Sequence, residues 1–200
     1  MKERGMIFNA EMVNAILSGR KTQTRRPVKF PLIDKNMGCE LAGNELAGEL
    51  AAHNYWNSPY GKPGDRIWVR ETFSAVPDYD EPAGCSALLY AADGNGPYRK
   101  WTPSIHMPRW ASRITLEITD VRVERLHSIS ERDALREGLF QLPASGRYCL
   151  QPGTQYFGMA SHSAKEVYSW LWASIYGEES WEANPWVWVI EFKRVEGAAL

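Results

Sequence analysis

Long apolar runs, paired cysteines and any marked charge imbalance are missing from this chain of 200 residues. No stretch approaches the roughly 20 apolar residues that span a bilayer. The opening Met1-Lys2-Glu3-Arg4 leads into only a few apolar residues rather than a secretory core. The expectation is a soluble cytoplasmic protein with no membrane partner. Cysteine is scarce: Cys39, Cys85 and Cys149 are far apart, form no CxxC pair and are odd in number. Reduced thiols fit that pattern better than a disulfide framework or a zinc site. The histidines, His53, His106, His127 and His162, show no HxxxH spacing, so neither a metal nor another cofactor is expected. A net charge of -1 and a pI near 6.4 exclude the extended basic face that adheres to duplex nucleic acid, and leave room for a local basic pocket.

What is present is pattern enough for one sizeable core, with 44% of the residues hydrophobic, and hence for a single domain over 1–200. Ile7-Phe8 reads as a short strand. Asn9 is a good N-cap for a helix carrying Met12, Val13, Ile16 and Leu17 on one side, and Gly19 ends it. Pro27 to Pro63 mixes Gly, Asn, Pro and Ala-Glu-Leu, an insertion with one or two helical turns. Gly64-Asp65 turns into "RIWVRETF", where Ile67 and Val69 alternate with polar neighbours as in a strand. Residues 75–104 are loop-like around a short strand near Ala87–Ala92.

In "RITLEITDVRVERL" Ile114, Leu116 and Ile118 share a face before the apolar phase slips to Val121 and Val123, which places a bulge near Asp120. Ser130 with Asp133 opens a short helix that stops at Gly138. Residues 140–162 read as a Gly/Pro/Tyr-rich loop. Ser163 with Glu166 opens a second helix, whose stripe is Val167, Trp170, Leu171 and Ile175, ending at Gly177. The last strand puts Trp186, Trp188, Ile190 and Phe192 on one face. Short strands spaced with two or three helices predict an α+β fold, a small mixed β-barrel with helices at its rim.

The stretch "GRKTQTRR", Gly19 to Arg26, holds four basic side chains, two threonines and no acid. Together with "GD" opening a strand, "ISERDALREGL" after a long strand and a closing "WVIEFKRV", it resembles the ASCH domain of the PUA-like superfamily. The resemblance covers roughly 5–27, 62–73, 112–139 and 164–195. The "KWTPSIHMPRWASR" stretch is similar to the longer ASCH proteins of bacteriophages and prophages, with insertions at about 28–61, 76–104 and 140–163. It implies a PUA-like barrel. It also implies kinship with an amidohydrolase that deacetylates N4-acetylcytidine using the lysine and threonine of a KxxT motif and a distant glutamate. Carried over, these are Lys21, Thr24 and Glu137.

Chemically, Thr24 would be the nucleophile, Lys21 its base once burial lowers its pKa, and Glu137 the relay to the leaving amine. An extended segment puts Lys21 and Thr24 on opposite sides, so this mechanism requires a bend or helical turn at Thr22-Gln23. Glu137 as the last residue of a helix is locally disfavoured by the dipole and by Asp133 four residues earlier, which hints at another reason for the acid. The plainer alternative is a solvated end residue paired with Arg136's neighbours or with Arg25. Arg20, Arg25, Arg26 and Lys29 are candidates for phosphate binding, or an exposed basic face neutralised by Glu131 and Glu137. Arg70 and Glu71 are candidates for the pocket mouth, or a surface ion pair. Trp170, Trp186 and Trp188 sit on apolar stripes and belong to the core, whereas Trp68, Trp101 and Trp110 flank polar stretches where an indole can stack a base. His106, Arg109 and Trp110 lie in a polar-aromatic patch suited to a nucleobase, with His106 either a general base or a hydrogen-bonded structural residue. Three classes follow: an amidohydrolase on an N4-acylated cytidine or similar modified nucleoside, a module binding single-stranded RNA without catalysis, and a ribonuclease.

Overall fold

A computed structural model describes residues 1–77 and 85–195. Along the chain run β1 (Glu3–Ile7), α1 (Ala10–Leu17), β2 (Gln23–Pro27), α2 (Gly43–Ala51), β3 (Arg66–Arg70), β4 (Phe73–Pro77), β5 (Cys85–Tyr90) and β6 (Thr115–Arg125). Then follow α3 (Glu131–Arg136), β7 (Phe140–Gln141), β8 (Tyr148–Cys149), β9 (Ala160–Ser161), α4 (Ala164–Tyr176), α5 (Glu178–Glu182) and β10 (Trp186–Arg194). The class is α+β, with five α-helices among the described residues rather than two or three. The strands lie in three sheets, and no closed barrel is formed among the described residues. No helix there is long and apolar enough to cross a membrane. Residues 78–84 of the second expected insertion lie outside the described residues.

The chain divides into two compact units, the first comprising Met1–Gly19, Asp65–Glu117 and Lys193–Leu200, the second Arg20–Gly64 and Ile118–Phe192. In the first, β1 runs parallel to β3, with Met6 beside Val69, and β3 pairs antiparallel with the opening residues of β6. The strand starts earlier than Ile7-Phe8 because pairing with β3 carries its polar first residues. β4 and β5 form a separate antiparallel pair. α1 follows its sequence signals: Asn9 Oδ1 accepts the Met12 N–H at 2.8 Å, satisfying one of the orphan donors of the first turn. Phe73, Tyr90, Met107 and Ala111 make an apolar cluster in this unit.

In the second unit β2 pairs antiparallel with β10, Thr24 opposite Ile190. Ser130 and Ser163 cap α3 and α4 as their spacing predicts, each hydroxyl accepting a backbone N–H three residues on. The buried face of α4 differs from the expected stripe: Ala164, Val167, Tyr168 and Trp172 are buried, while Ile175 is exposed. The rings bury more area than an isoleucine, and Trp172 finds a partner for its indole N–H in Ser180 Oγ at 3.1 Å, on α5. α5 has no apolar stripe to announce it. β10 is buried on both faces. Val187 and Val189 join the α4 cluster, and Trp188 meets Tyr60 edge-on at 5.8 Å. Trp170 and Trp186 are only half-buried. Residues 140–163 are not a plain loop: β7, β8 and β9 form a small antiparallel sheet. Two-residue strands carry no readable period. β6 keeps one continuous strand while its buried positions slip from Leu116 and Ile118 to Val121 and Val123.

Candidate functional site

Lys21 forms an antiparallel bridge with Glu137, and the Thr22 N–H donates to the Arg136 carbonyl at 2.9 Å. This ties the start of β2 to the C-terminal end of α3. α3 is capped by Glu137, after which Gly138 adopts φ 107°, a left-handed conformation that glycine takes without steric cost. The chain leaves the helix there and exposes its last carbonyls to the lysine.

Lys21 Nζ donates to the Glu137 carbonyl and to Glu137 Oε2, both at 2.9 Å. One cation therefore satisfies a helix-terminal carbonyl and a carboxylate, which accounts for an acid at a position where the helix dipole alone disfavours it. The opposite oxygen, Oε1, accepts from Arg25 at 3.1 Å and from Gln23 Nε2 at 3.3 Å. The second Arg25 terminus donates to Glu124 at 2.6 Å and lies 3.8 Å from Asp133. These groups are almost completely withdrawn from water, Lys21 at 2% and Glu137 at 4% exposure. Burial pushes the Lys21 pKa below its ordinary value of 10.5, outweighing the attraction of Glu137, and the charges of Arg26 and Arg25 act in the same direction as burial. For Arg25 burial pulls downward too, but Glu137 and Glu124 outweigh it and hold the guanidinium charged. Desolvation, reinforced by Glu137, drives the Tyr168 phenol well above 10.0.

The structure brings Lys21, Arg25 and Glu137 together and sets Thr24 apart. No helical turn occurs at Thr22-Gln23; β2 is extended, and Gln23 and Arg25 both reach Glu137. Thr24, between them, faces the other side of the strand. The bend that a Thr24 nucleophile requires is absent. Arg20 donates to the Gly138 carbonyl at 2.7 Å and lies over the Phe140 ring at 3.6 Å. Arg26, paired in register with Trp188, is half-buried. The notion of an exposed basic face does not hold for Arg25, and Glu131 turns instead to the start of α4, accepting from Ser163 Oγ at 2.7 Å.

The other expected site residues belong to the first unit. Glu71 is buried and paired with Arg113, both carboxylate oxygens engaged at 3.0 Å; it is not a surface partner of Arg70. Arg113 also binds Asp93 at 2.7 Å and covers the Tyr90 ring at 3.9 Å. Desolvation raises the Glu71 pKa above 4.5 despite Arg113. Arg70 donates to the carbonyls of Ser104 and Ile105 and lies 5.4 Å from the Trp68 ring. Arg109 pairs with Glu3 at 2.8 Å. His106 is exposed, and Trp110 is 62% exposed.

Sequence reasoning missed Gln23, Arg122, Glu124, Asp133 and Glu191 as members of the Glu137 network, and Arg113 as the partner of Glu71. The period of two offered the signal, since Lys21, Gln23 and Arg25 share one face of an extended segment, as Arg122 and Glu124 do on β6.

No protein-family model matches the chain, and no curated protein matches it. Among solved structures, an ASCH domain from Lactobacillus crispatus aligns with a TM-score of 0.40 at 14% identity, over 96% of this chain and 79% of that one. A DUF984 protein from Enterococcus faecalis aligns with a TM-score of 0.40 at 12% identity, over 98% and 80%. Likenesses of this size assign neither a family nor a function.

Proposed function

We propose that the Lys21–Glu137–Arg25 cluster hydrolyses the amide of an N4-acylated cytidine or a similar modified nucleoside, in an ASCH domain of PUA-like barrel type from a phage or prophage, acting in the cytoplasm. The observation that carries this reading is a fully buried lysine amine, its pKa lowered, 2.9 Å from a carboxylate. A desolvated amine gives up its proton readily and then serves as a base. The neutral Lys21 takes a proton from the attacking group as it adds to the acyl carbonyl, and Glu137 stabilises the ammonium that results. As the C–N bond breaks, that ammonium returns its proton to the exocyclic nitrogen. Water is the attacking group in this version, because Thr24 faces away from Lys21.

The test is chromatography of N4-acetylcytidine hydrolysis by the wild type, Lys21→Ala, Glu137→Gln and Thr24→Val. Turnover falls about 100-fold or more in the first two variants, and stays within a few-fold of wild type in Thr24→Val. A folded Lys21→Ala with full turnover overturns the reading and leaves the cluster a clamp between β2 and α3. A loss in Thr24→Val equal to that in Lys21→Ala returns the nucleophile to the threonine. Binding of single-stranded RNA without catalysis is the second reading, favoured by the exposed indole of Trp110, next in sequence to Arg109.

A further inference from the structure

Arg122 on β6 is fixed by acids on several sides: it donates to Glu191 at 2.6 Å and to Asp120 and Glu124 at 3.4 Å, and lies 3.7 Å from Asp133. Glu191 is held in turn by Arg136 at 3.3 Å. From this anchored guanidinium one terminus donates to Gln23 Oε1 at 3.3 Å. A guanidinium can only donate, so the Gln23 amide has a single workable orientation, Oε1 toward Arg122 and Nε2 toward Glu137. A flipped amide sets donor against donor at Arg122 and oxygen against oxygen at Glu137. A second route starts at the same guanidinium: Arg122 and Arg25 grip the two oxygens of Glu124, and Arg25 donates to Glu137. Both routes end on Glu137 Oε1, and among the described residues Oε2 is left to Lys21.

We propose that Arg122, acting through Gln23, is a positioning residue that fixes the Glu137 carboxylate with Oε2 on Lys21, so that the proton of the pair is exchanged through that one oxygen. Its catalytic consequence rests on the hydrolase reading above; the geometry does not. The charged groups bearing on Lys21 are Glu137 beyond the end of α3 and Arg25 and Arg26 on β2. Of these only Glu137 favours its protonation, and loosening Glu137 therefore lets Lys21 release its proton at lower pH.

The experiment follows the Lys21 side-chain ¹³Cε resonance with pH in the full chain, assigned by its loss in Lys21→Met. The midpoint falls by about one unit in Gln23→Leu, the size expected for weakening one hydrogen bond between charged groups. It moves the same way in Arg122→Met, a half-exposed site that spares the core, and returns toward wild type in Arg122→Lys, which still donates to Gln23. If the wild type hydrolyses N4-acetylcytidine, the acid limb of its pH–rate profile moves with the midpoint. An unchanged midpoint in folded Gln23→Leu and Arg122→Met overturns the proposal and leaves the network purely structural. A shifted midpoint in a protein that hydrolyses nothing sustains the positioning role and removes the hydrolase reading alone.

Discussion

Among the described residues each unit buries one glutamate, and the two are held in opposite ways. Glu71 meets a single arginine whose planar fork occupies both carboxylate oxygens, and Asp93 shares the same guanidinium. Desolvation raises the Glu71 pKa there, while Arg113 keeps its proton. Glu137 instead divides its oxygens, Oε1 between Arg25 and Gln23 and Oε2 to Lys21. One partner of Glu137 is an amine that desolvation makes ready to lose its proton. A buried carboxylate becomes a candidate for proton transfer through the chemistry of its partner rather than through its own burial, because arginine holds a proton at any accessible pH and lysine does not.

That contrast can be broken from either side. The largest effect is expected in Glu137→Leu, which strands two fully buried cations and costs about 3 to 5 kcal/mol in urea denaturation near neutral pH. The sign with pH is defined. Glu137 is the group that raises the Lys21 pKa against burial, so without it Lys21 loses its proton at lower pH than in the wild type, and the loss shrinks as pH rises toward the wild-type Lys21 value, itself below 10.5. It does not vanish, since Arg25 stays charged. Arg113→Met costs less, about 2 to 3 kcal/mol, because Arg113 is partly exposed and Glu71 has a way out. Glu71 in the fold binds a proton above 4.5, and its loss shrinks as pH falls toward that value. Opposite slopes in the two variants are the signature; parallel slopes would erase the distinction between the two glutamates.

A subtler effect is expected at Tyr168, whose phenol stays protonated in the fold well beyond 10.0 while the unfolded chain ionises there. Stability falls as pH rises past 10, and Tyr168→Phe flattens that fall, as a phenolate absorbance titration paired with denaturation will show. The smallest change belongs to Glu3→Gln, which breaks the exposed pair with Arg109 at a cost of about 0.5 kcal/mol that salt reduces further.

The sequence foretold most where a local rule operates. Asn9, Ser130 and Ser163 announce α1, α3 and α4 because a cap is a contact between residues three apart. Ile67 and Val69 announce β3 because alternation needs only the strand itself. The motif comparison brought Lys21 and Glu137 to attention across 116 residues, yet nothing local could say that Gln23 and Arg25 complete the grip. The bond from Arg113 to Glu71 spans 42 residues, and an arginine next to Glu71 in sequence was the easier and mistaken partner. Thr24 shows how a motif and a strand can disagree: spacing placed it with Lys21, and the period of two placed it on the far side.

Among the described residues β2 has a strand neighbour, β10, on one side only, and Gln23, Thr24 and Arg25 are buried along it. It carries the inward-pointing charge of Arg25, then Arg26, and closes on Pro27, which has no N–H to offer. A strand added to this edge from a second molecule would meet cations and a missing donor. The residues that assemble the Glu137 cluster thus also make this edge a poor template for edge-to-edge pairing, and replacing Arg25 with an apolar residue takes a charge from the strand and a partner from Glu137.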